Sequence, residues 1–314
     1  MAGKKIVAVL GATGAQGGGL ATAIVDDPDG EFAVRALTRN PSSEAARALA
    51  ARGAEVVTVD LDDEDSVRRA FAGAYGAFVV TAFWEYNSAE RELAQVRAAA
   101  NAAKAAGLRH VVWSTLPDTR KHMPLDDDRV PTLQGRYKVP HFDGKGEANQ
   151  FFIDLGVPTT NLSTTFFFES FITFFQPLRG PDGKLYITLP MGEAKLPGIA
   201  AGDIGPTALT LFKRGQEFIG ATVSISGENL TGAEYAALMS KEFGEEVDYR
   251  PMSLDVVRAF DHPAADDLAN MFHFFAEFQD VFAGVRVPEF VRRLNPQLRD
   301  FATWLARNRD RFTL

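Results

Sequence analysis

Lys4-Lys5-Ile6-Val7-Ala8-Val9-Leu10 runs directly into Gly11-Ala12-Thr13-Gly14-Ala15-Gln16-Gly17-Gly18-Gly19, and this junction decides the fold. An apolar strand-like segment meets a glycine-rich turn, and the turn meets the helical pattern Leu20-Ala21-Thr22-Ala23-Ile24-Val25. Glycines lack Cβ atoms, so their backbone N–H groups can approach a pyrophosphate closely. The helix that follows adds the partial positive charge of its N-terminus. The spacing is G-x-x-G-x-x-G (Gly11, Gly14, Gly17) rather than G-x-G-x-x-G. Glycines alone are weak evidence. Their place after a strand and before a helix makes this stretch a dinucleotide-binding turn.

The second strand identifies the dinucleotide. NAD-selective sites place an acid about 20 residues on, at the end of that strand, to bond the ribose 2′-OH. Here Phe32-Ala33-Val34-Arg35-Ala36-Leu37 ends in Thr38-Arg39-Asn40, with no acid. A guanidinium there can pair with a 2′-phosphate, which a carboxylate would repel. One such charge-assisted contact is worth roughly 1.5–3 kcal/mol. NADP(H) is therefore the expected cofactor.

Composition narrows the function classes. The chain has 314 residues and a formal net charge of -8, with no basic stripe, which argues against nucleic-acid binding. It contains no cysteine, so disulfides, thiol switching, Fe–S clusters and Cys-ligated zinc are excluded. His110, His122, His141, His262 and His273 show no metal spacing, and no metal is expected. The glycine turn interrupts the first apolar run too early for a secretion signal. No run is long enough to span a membrane. A soluble, cytoplasmic protein is expected.

Strand-like segments fall at 5–10, 32–38, 55–59, 77–81, 109–114 and 158–163. Helix-like segments lie between them, at about 18–27, 42–52, 64–72, 88–106 and 141–155. This alternation predicts a Rossmann-type, doubly wound parallel α/β sheet. Gly53, Gly73, Gly107 and Gly156 each follow a predicted helix, where a left-handed cap residue belongs. After 163 the pattern changes. Phe166 to Phe175 is dense in phenylalanine. At helical spacing, Phe167, Phe168, Phe171, Phe174 and Phe175 share a face, which favours core packing. Lys184–Leu189 and Ala221–Ser226 read as strands. Asp203 reads as an N-cap with Pro206 in the first turn, and Thr231-Gly232-Ala233-Glu234 as a capping box. The tail from Leu254 is helical. The expected organisation is a dinucleotide-binding domain over 1–163 and a smaller, interleaved α+β C-terminal lobe over 164–314.

Two places could carry chemistry. The fifth strand ends in Trp113-Ser114-Thr115, whose hydroxyls could meet a substrate carbonyl or cap a turn. The next helix opens Pro140-His141-Phe142-Asp143-Gly144-Lys145-Gly146-Glu147. His141 and Lys145 are four apart and share a helical face.

Together these stretches resemble the atypical short-chain dehydrogenase/reductases of the NmrA-like family, and within it the HSCARG-type NADP(H) sensor proteins. The resemblance rests on the glycine turn, Thr38-Arg39-Asn40-Pro41, Gly53-Ala54-Glu55-Val56-Val57, Trp84-Glu85 and His141 to Glu147. It continues in Gly156-Val157-Pro158, Asp267-Leu268-Ala269-Asn270-Met271-Phe272 and Arg293-Leu294-Asn295-Pro296.

The resemblance implies a site. Gly11, Ala12, Thr13, Gly14, Ala15 and Gln16 would cradle the pyrophosphate and Arg39 would take the 2′-phosphate. Asp62 and Asp63 would lie by the adenine. Thr81, Ala82, Phe83 and Trp84, followed by Glu85 and Tyr86, would flank the cofactor. Lys145 would bond the nicotinamide ribose, and Phe167, Phe168, Glu169 and Ser170 would line the nicotinamide. A lysine that the family places after Trp84-Glu85 falls at Ala94 here. Active short-chain reductases use Tyr-x-x-x-Lys, in which the Lys charge lowers the Tyr pKa for proton donation. Here His141 stands at the Tyr position. His141 and Lys145 are thus the candidate catalytic pair, without the usual acid. The implied function is an NADP(H)-binding, redox-responsive sensor or regulator that works with a protein partner. The alternative is an NADPH-dependent reductase of a small hydrophobic carbonyl or quinone.

Overall fold

The computed structural model describes residues 3–27 and 29–314. The chain divides into two compact units. The first takes the residues up to Asp118, then Gly144–Thr164 and Ala201–Val223. The second takes Thr119–Asp143, Thr165–Ala200 and Ser224–Leu314. Among the described residues, no helix is long and apolar enough to cross a membrane.

The first unit holds strands β1 (Lys5–Val9), β2 (Phe32–Thr38), β3 (Glu55–Thr58), β4 (Gly76–Val79), β5 (His110–Thr115) and β6 (Thr159–Ser163). Its helices are α1 (Ala15–Val25), α2 (Glu44–Ala51), α3 (Glu64–Phe71), the single turn α4 (Phe83–Tyr86) and α5 (Ala89–Ala105). Helix α6 (Pro140–Asp154) belongs to this unit from Gly144 on. The sheet runs β3-β2-β1-β4-β5-β6, with every one of these neighbours parallel, and Thr222–Ser224 adds a seventh strand beside β6. This is the doubly wound order expected, and its direction reverses between β1 and β4. Apolar runs such as Val7-Ala8-Val9 and Val111-Val112-Trp113 are wholly buried, as a sheet covered on both faces requires. One core joins Phe71, Val96, Ala99, Val111, Trp113 and Phe152. Each large side chain in it contributes about 1.5–3 kcal/mol.

The four cap glycines, Gly53, Gly73, Gly107 and Gly156, take the positive φ their positions predicted. Strand β4 stops at Val79, two residues short of the expected end, and α4 follows it. A four-residue helix carries no periodicity, so the sequence offered no sign of it. Asp203 stands at the start of the helix Ile204–Arg214, but its side chain does not cap it. The Ala201–Asp203 turn leaves Asp203 in helical φ/ψ, whereas a capping residue needs an extended backbone.

The second unit has two three-stranded sheets, in the orders Glu228–Thr231, Lys195–Ile199, Phe166–Phe167 and Val247–Tyr249, Leu185–Ile187, Leu178–Arg179. The capping box at Thr231 and Glu234 forms as read, opening the helix Gly232–Phe243. The phenylalanine stretch is not a helix. Phe166–Phe167 pairs with Gly198–Ile199, and Phe168–Phe171 makes one 3-10 turn. Phe168, Phe171 and Phe175 are buried, but Phe174 is 70% exposed, because the expected helical face does not exist. The rings of Phe168 and Phe171 pack on Tyr235 and Phe301. The strand Lys195–Ile199 was not legible, because Pro197 and Gly198 argue against a strand. Gly198 is required there: a Cβ would fall 2.4 Å from the Phe168 ring.

One buried histidine gives the first unit a pH dependence. Thr160 Oγ1 donates to the Phe218 carbonyl, so it accepts from His110 Nε2 at 2.8 Å, which puts a proton on Nε2. Burial lowers its pKa from 6.5 to about 4. Between those values the unfolded chain binds a proton that the folded chain refuses. Stability is therefore lost as pH falls through that window, by at most about 1.4 kcal/mol per unit from this group. The unfolding free energy of His110→Gln should fall less steeply than that of the unaltered protein between pH 6.5 and 4.5. Identical slopes would contradict the assignment.

Candidate functional site

The predicted residues of the first unit converge on one end of the sheet. Gly11 follows β1, Arg39 follows β2, Asp62 and Asp63 follow β3, and Thr81 follows β4. In an open parallel sheet, ligands bind outside the carboxyl ends of the strands, where the order reverses. A cavity of about 560 Å³ opens instead beside Tyr75, Lys104, Arg109 and Pro158, at the amino ends of β4, β5 and β6, and no predicted site residue lines it.

The glycine turn has distinct work at each position. Gly11 adopts φ +63, and its carbonyl accepts from the Gly14 N–H at 2.8 Å. Gly14 is the N-cap of α1, with an extended backbone and no side-chain cap. A Cβ on Gly17 would lie 2.5 Å from the carbonyl oxygens of Leu10 and Gly11, so only glycine lets α1 lie this close to β1. Gly11, Thr13, Gly14 and Ala15 are exposed, while Ala12 is buried and donates to the Leu37 carbonyl. Gln16 accepts from Ser114 Oγ at 2.7 Å. The first amides of an α-helix have no intrahelical partner. Those of α1 therefore open toward solvent without a competing side chain.

Arg39 is paired. Its two terminal nitrogens donate to Glu85 Oε1 and Oε2 at 2.6 and 2.7 Å, and one also reaches the Tyr86 hydroxyl at 3.3 Å. The fork holds Glu85 below the usual carboxylate range and raises Arg39. Tyr86 lies 3.4 Å beneath the Arg91 guanidinium, which pairs with Asp62. Arg91 and Gln95 hold the Asp62 carboxyl low. Asp63 caps α3, accepting from the Asp65 N–H at 3.0 Å. Ala82 is the N-cap of α4, Phe83 is buried beneath it, and Trp84 is 47% exposed. Ala94 is an exposed position of α5, and Arg91 on the same helix supplies a cation to α4.

A second cluster is buried. Lys145 Nζ donates to Glu92 Oε1 and to Thr81 Oγ1, both at 2.7 Å, and Thr81 donates to Glu92 at 2.6 Å. Glu92, only 2% exposed, was missed in the sequence. Its signal was there: an acid at helical spacing with Gln95, Val96 and Ala99 on the buried face of α5. Ser114 and Thr115 are both buried, and Thr115 donates to Asn149.

The side chains of the motif His141 to Glu147 make buried structural contacts. In the second unit, His141 Nδ1 meets Asp267 Oδ1 at 2.7 Å and its backbone N–H meets Oδ2. A carboxylate only accepts, so the Nδ1 proton points at Asp267 and the ring is fixed. Asp143 accepts from the Thr119 hydroxyl and from the backbone N–H groups of Thr119, Lys138 and Val139. Burial raises its pKa in spite of those donors. Phe142 packs on Phe274, Phe275 and Phe282. In the first unit, a Cβ on Gly146 would lie 2.5 Å from the Asp118 nitrogen. Asn270 donates to the Pro131 and Lys138 carbonyls, which accounts for the matching Asp267 to Phe272 motif. Of the residues expected to line the nicotinamide, Phe167 is half-buried and the Phe168 ring is in the aromatic core. Glu169 accepts from Trp304, and Ser170 is half-buried.

The sheet order and the glycine turn at its reversal define a Rossmann-type fold. Residues 3–305 match the NmrA-like family, and the chain belongs to it. Over 292 residues it is 29% identical to the NmrA-like family domain-containing oxidoreductase FrzB of a Cladobotryum species, covering 86% of this chain and 83% of that protein. The crystal structure of NmrA, a negative transcriptional regulator, superimposes with a TM-score of 0.80 at 25% identity, covering 96% of this chain and 95% of NmrA. NmrA in complex with NADP superimposes with a TM-score of 0.77 at 24% identity, over 96% and 94% of the two chains. This fold therefore carries both a regulator and a protein named as an oxidoreductase.

The buried cluster is open to a direct stability test. Glu92→Gln leaves Lys145 without its counter-charge and should destabilise the protein by about 3 kcal/mol or more. Adding Lys145→Met should recover part of that loss in denaturant unfolding. A loss below about 0.5 kcal/mol, the range of ordinary surface changes, would show that Glu92 does not hold the lysine.

Proposed function

We propose that this protein binds NADP(H) at the carboxyl end of its sheet and serves as a redox-responsive regulator rather than an efficient reductase. One observation carries the cofactor assignment: an exposed, uncapped helix N-terminus stands at the sheet's reversal point, with Arg39 where an NAD site keeps an acid. The donors suit a polyanion. Gly11 to Gln16 would hold the pyrophosphate on backbone amides, and Arg39 would take the 2′-phosphate. The segments at Asp62 and at Thr81 to Trp84 would flank the adenosine and nicotinamide halves, with Lys145 turned toward the ribose. When bound, the nicotinamide ring supplies or accepts a hydride. NmrA has been solved with NAD and with NADP, so the likeness supports a dinucleotide site on this fold, and the preference for NADP(H) rests on Arg39.

The regulatory half rests on what the chain lacks. His141 stands four residues before Lys145 where a reductase needs a tyrosine, and Lys145 is engaged by Glu92 and Thr81. Cofactor binding would order the segments around α4, and a protein partner would read the altered surface. NmrA, a transcriptional regulator, is a precedent for such a role on this fold.

One contact favours the reductase reading instead. The Asp267 carboxylate on His141 Nδ1 fixes that ring as an acid–base group would be fixed, and Lys145 carries its own carboxylate, Glu92. A proton donor contributes about 10²–10⁴-fold to such reactions. A screen of small aldehydes and quinones with NADPH should give little or no turnover. Brisk turnover that His141→Ala abolishes would make the protein a reductase.

Affinity tests the cofactor directly. In a fluorescence titration, NADPH should bind at least tenfold more tightly than NADH, a difference of about 1.4 kcal/mol. Arg39→Ala should remove most of that gap. Equal affinities in the unaltered protein would remove the assignment.

A further inference from the structure

We propose that Glu85 is a built-in competitor for the 2′-phosphate of NADP(H), and that its carboxylate sets how strongly the site prefers the phosphorylated dinucleotide. The inference rests on the NADP(H) reading above and concerns one residue of the same site.

The argument begins with geometry. Carboxylate and phosphate are recognised by the same planar fork, two parallel N–H donors from one guanidinium. Both terminal nitrogens of Arg39 already face the two oxygens of Glu85. A phosphate reaching Arg39 must displace that carboxylate or bind beside it against like charge. The pair can be opened, because the side chains are 63% and 39% exposed. The buried ion pair of Lys145 and Glu92 is 10% and 2% exposed and is not exchangeable in the same way.

The support beneath Glu85 is specific. It sits on the turn Phe83–Tyr86, anchored by buried Phe83 and by Tyr86 stacked against Arg91, which Asp62 holds. The chain Asp62–Arg91–Tyr86–Arg39–Glu85 thus keeps the carboxylate at the end of β2, where the second strand supplies no acid of its own. Glu85 brings one from the turn that follows β4. An NAD-type ribose leaves the Arg39–Glu85 pair intact and can donate its 2′-hydroxyl to the carboxylate, the role that an acid on β2 has in NAD sites. One arginine and one glutamate therefore pull the preference in opposite directions, and Arg39 prevails only after breaking the pair.

Titration of Glu85→Gln and Glu85→Ala with NADPH and NADH tests this, with melting curves to confirm that each variant is folded. NADPH should bind about twofold to fivefold more tightly than in the unaltered protein, the cost of opening one exposed pair. NADH should gain nothing, so the ratio of the two affinities should rise. The gain should vanish when Arg39→Ala is added. If the unaltered protein prefers NADPH but neither variant raises the ratio, the competitor is disproved and the cofactor reading stands. If the unaltered protein and both variants bind no dinucleotide, both fall. A rise that survives Arg39→Ala also overturns the proposal, because Glu85 would then act through another group.

Discussion

The cofactor end of the molecule depends on how close α1 can lie to β1. A Cβ on Gly17 would be 2.5 Å from two backbone oxygens, so any other residue must push the helix off the strand. The same constraint recurs on the other side of α1, where a Cβ on Gly205 would lie 2.1 Å from the backbone of Gly19 and Leu20. Backbone packed on backbone fixes the direction of α1. Its uncapped amides then open between the carboxyl ends of β1 and β4. The helix N-terminus proposed to hold the pyrophosphate is thus a consequence of packing, and the glycine spacing records that packing.

The charged pairs within the two units fall into two kinds. Lys145 with Glu92, and His141 with Asp267, are buried pairs whose separation would strand a charge or an unpaired polar group, so they hold segments in place. Arg39 with Glu85, and Arg91 with Asp62, are exposed pairs that hold weakly in water, so a ligand can rearrange them. The first kind gives the His141 to Glu147 stretch a structural task. His141, Asp143 and Lys145 each hold a different piece of chain. The second kind is where binding can act.

The first unit was largely legible in the sequence, because α2, α3, α5 and α6 repeat one pattern: a periodic helix, a glycine past its end and a short apolar strand. Arg39 was legible because it stands where an acid belongs. Glu85 was seen only as a neighbour of the cofactor, since its bond to Arg39 joins residues 46 apart in sequence. The bonds of Glu92 to Lys145 and of Asp267 to His141 were hidden for the same reason, joining residues 53 and 126 apart. In the second unit the sequence misled at Phe166 to Phe175, where phenylalanines at helical spacing belong to a short strand and a 3-10 turn. Their partners, Tyr235 and Phe301, lie far along the chain, and tertiary packing overrode local period.

A crystal structure of the protein grown with NADP⁺ tests the central claim most directly. The account predicts the pyrophosphate on the amides at Gly11 to Gln16 and the 2′-phosphate on the Arg39 guanidinium. Glu85 should be turned away from that guanidinium. A dinucleotide bound elsewhere, or a 2′-phosphate in solvent with the Arg39–Glu85 fork intact, would contradict it.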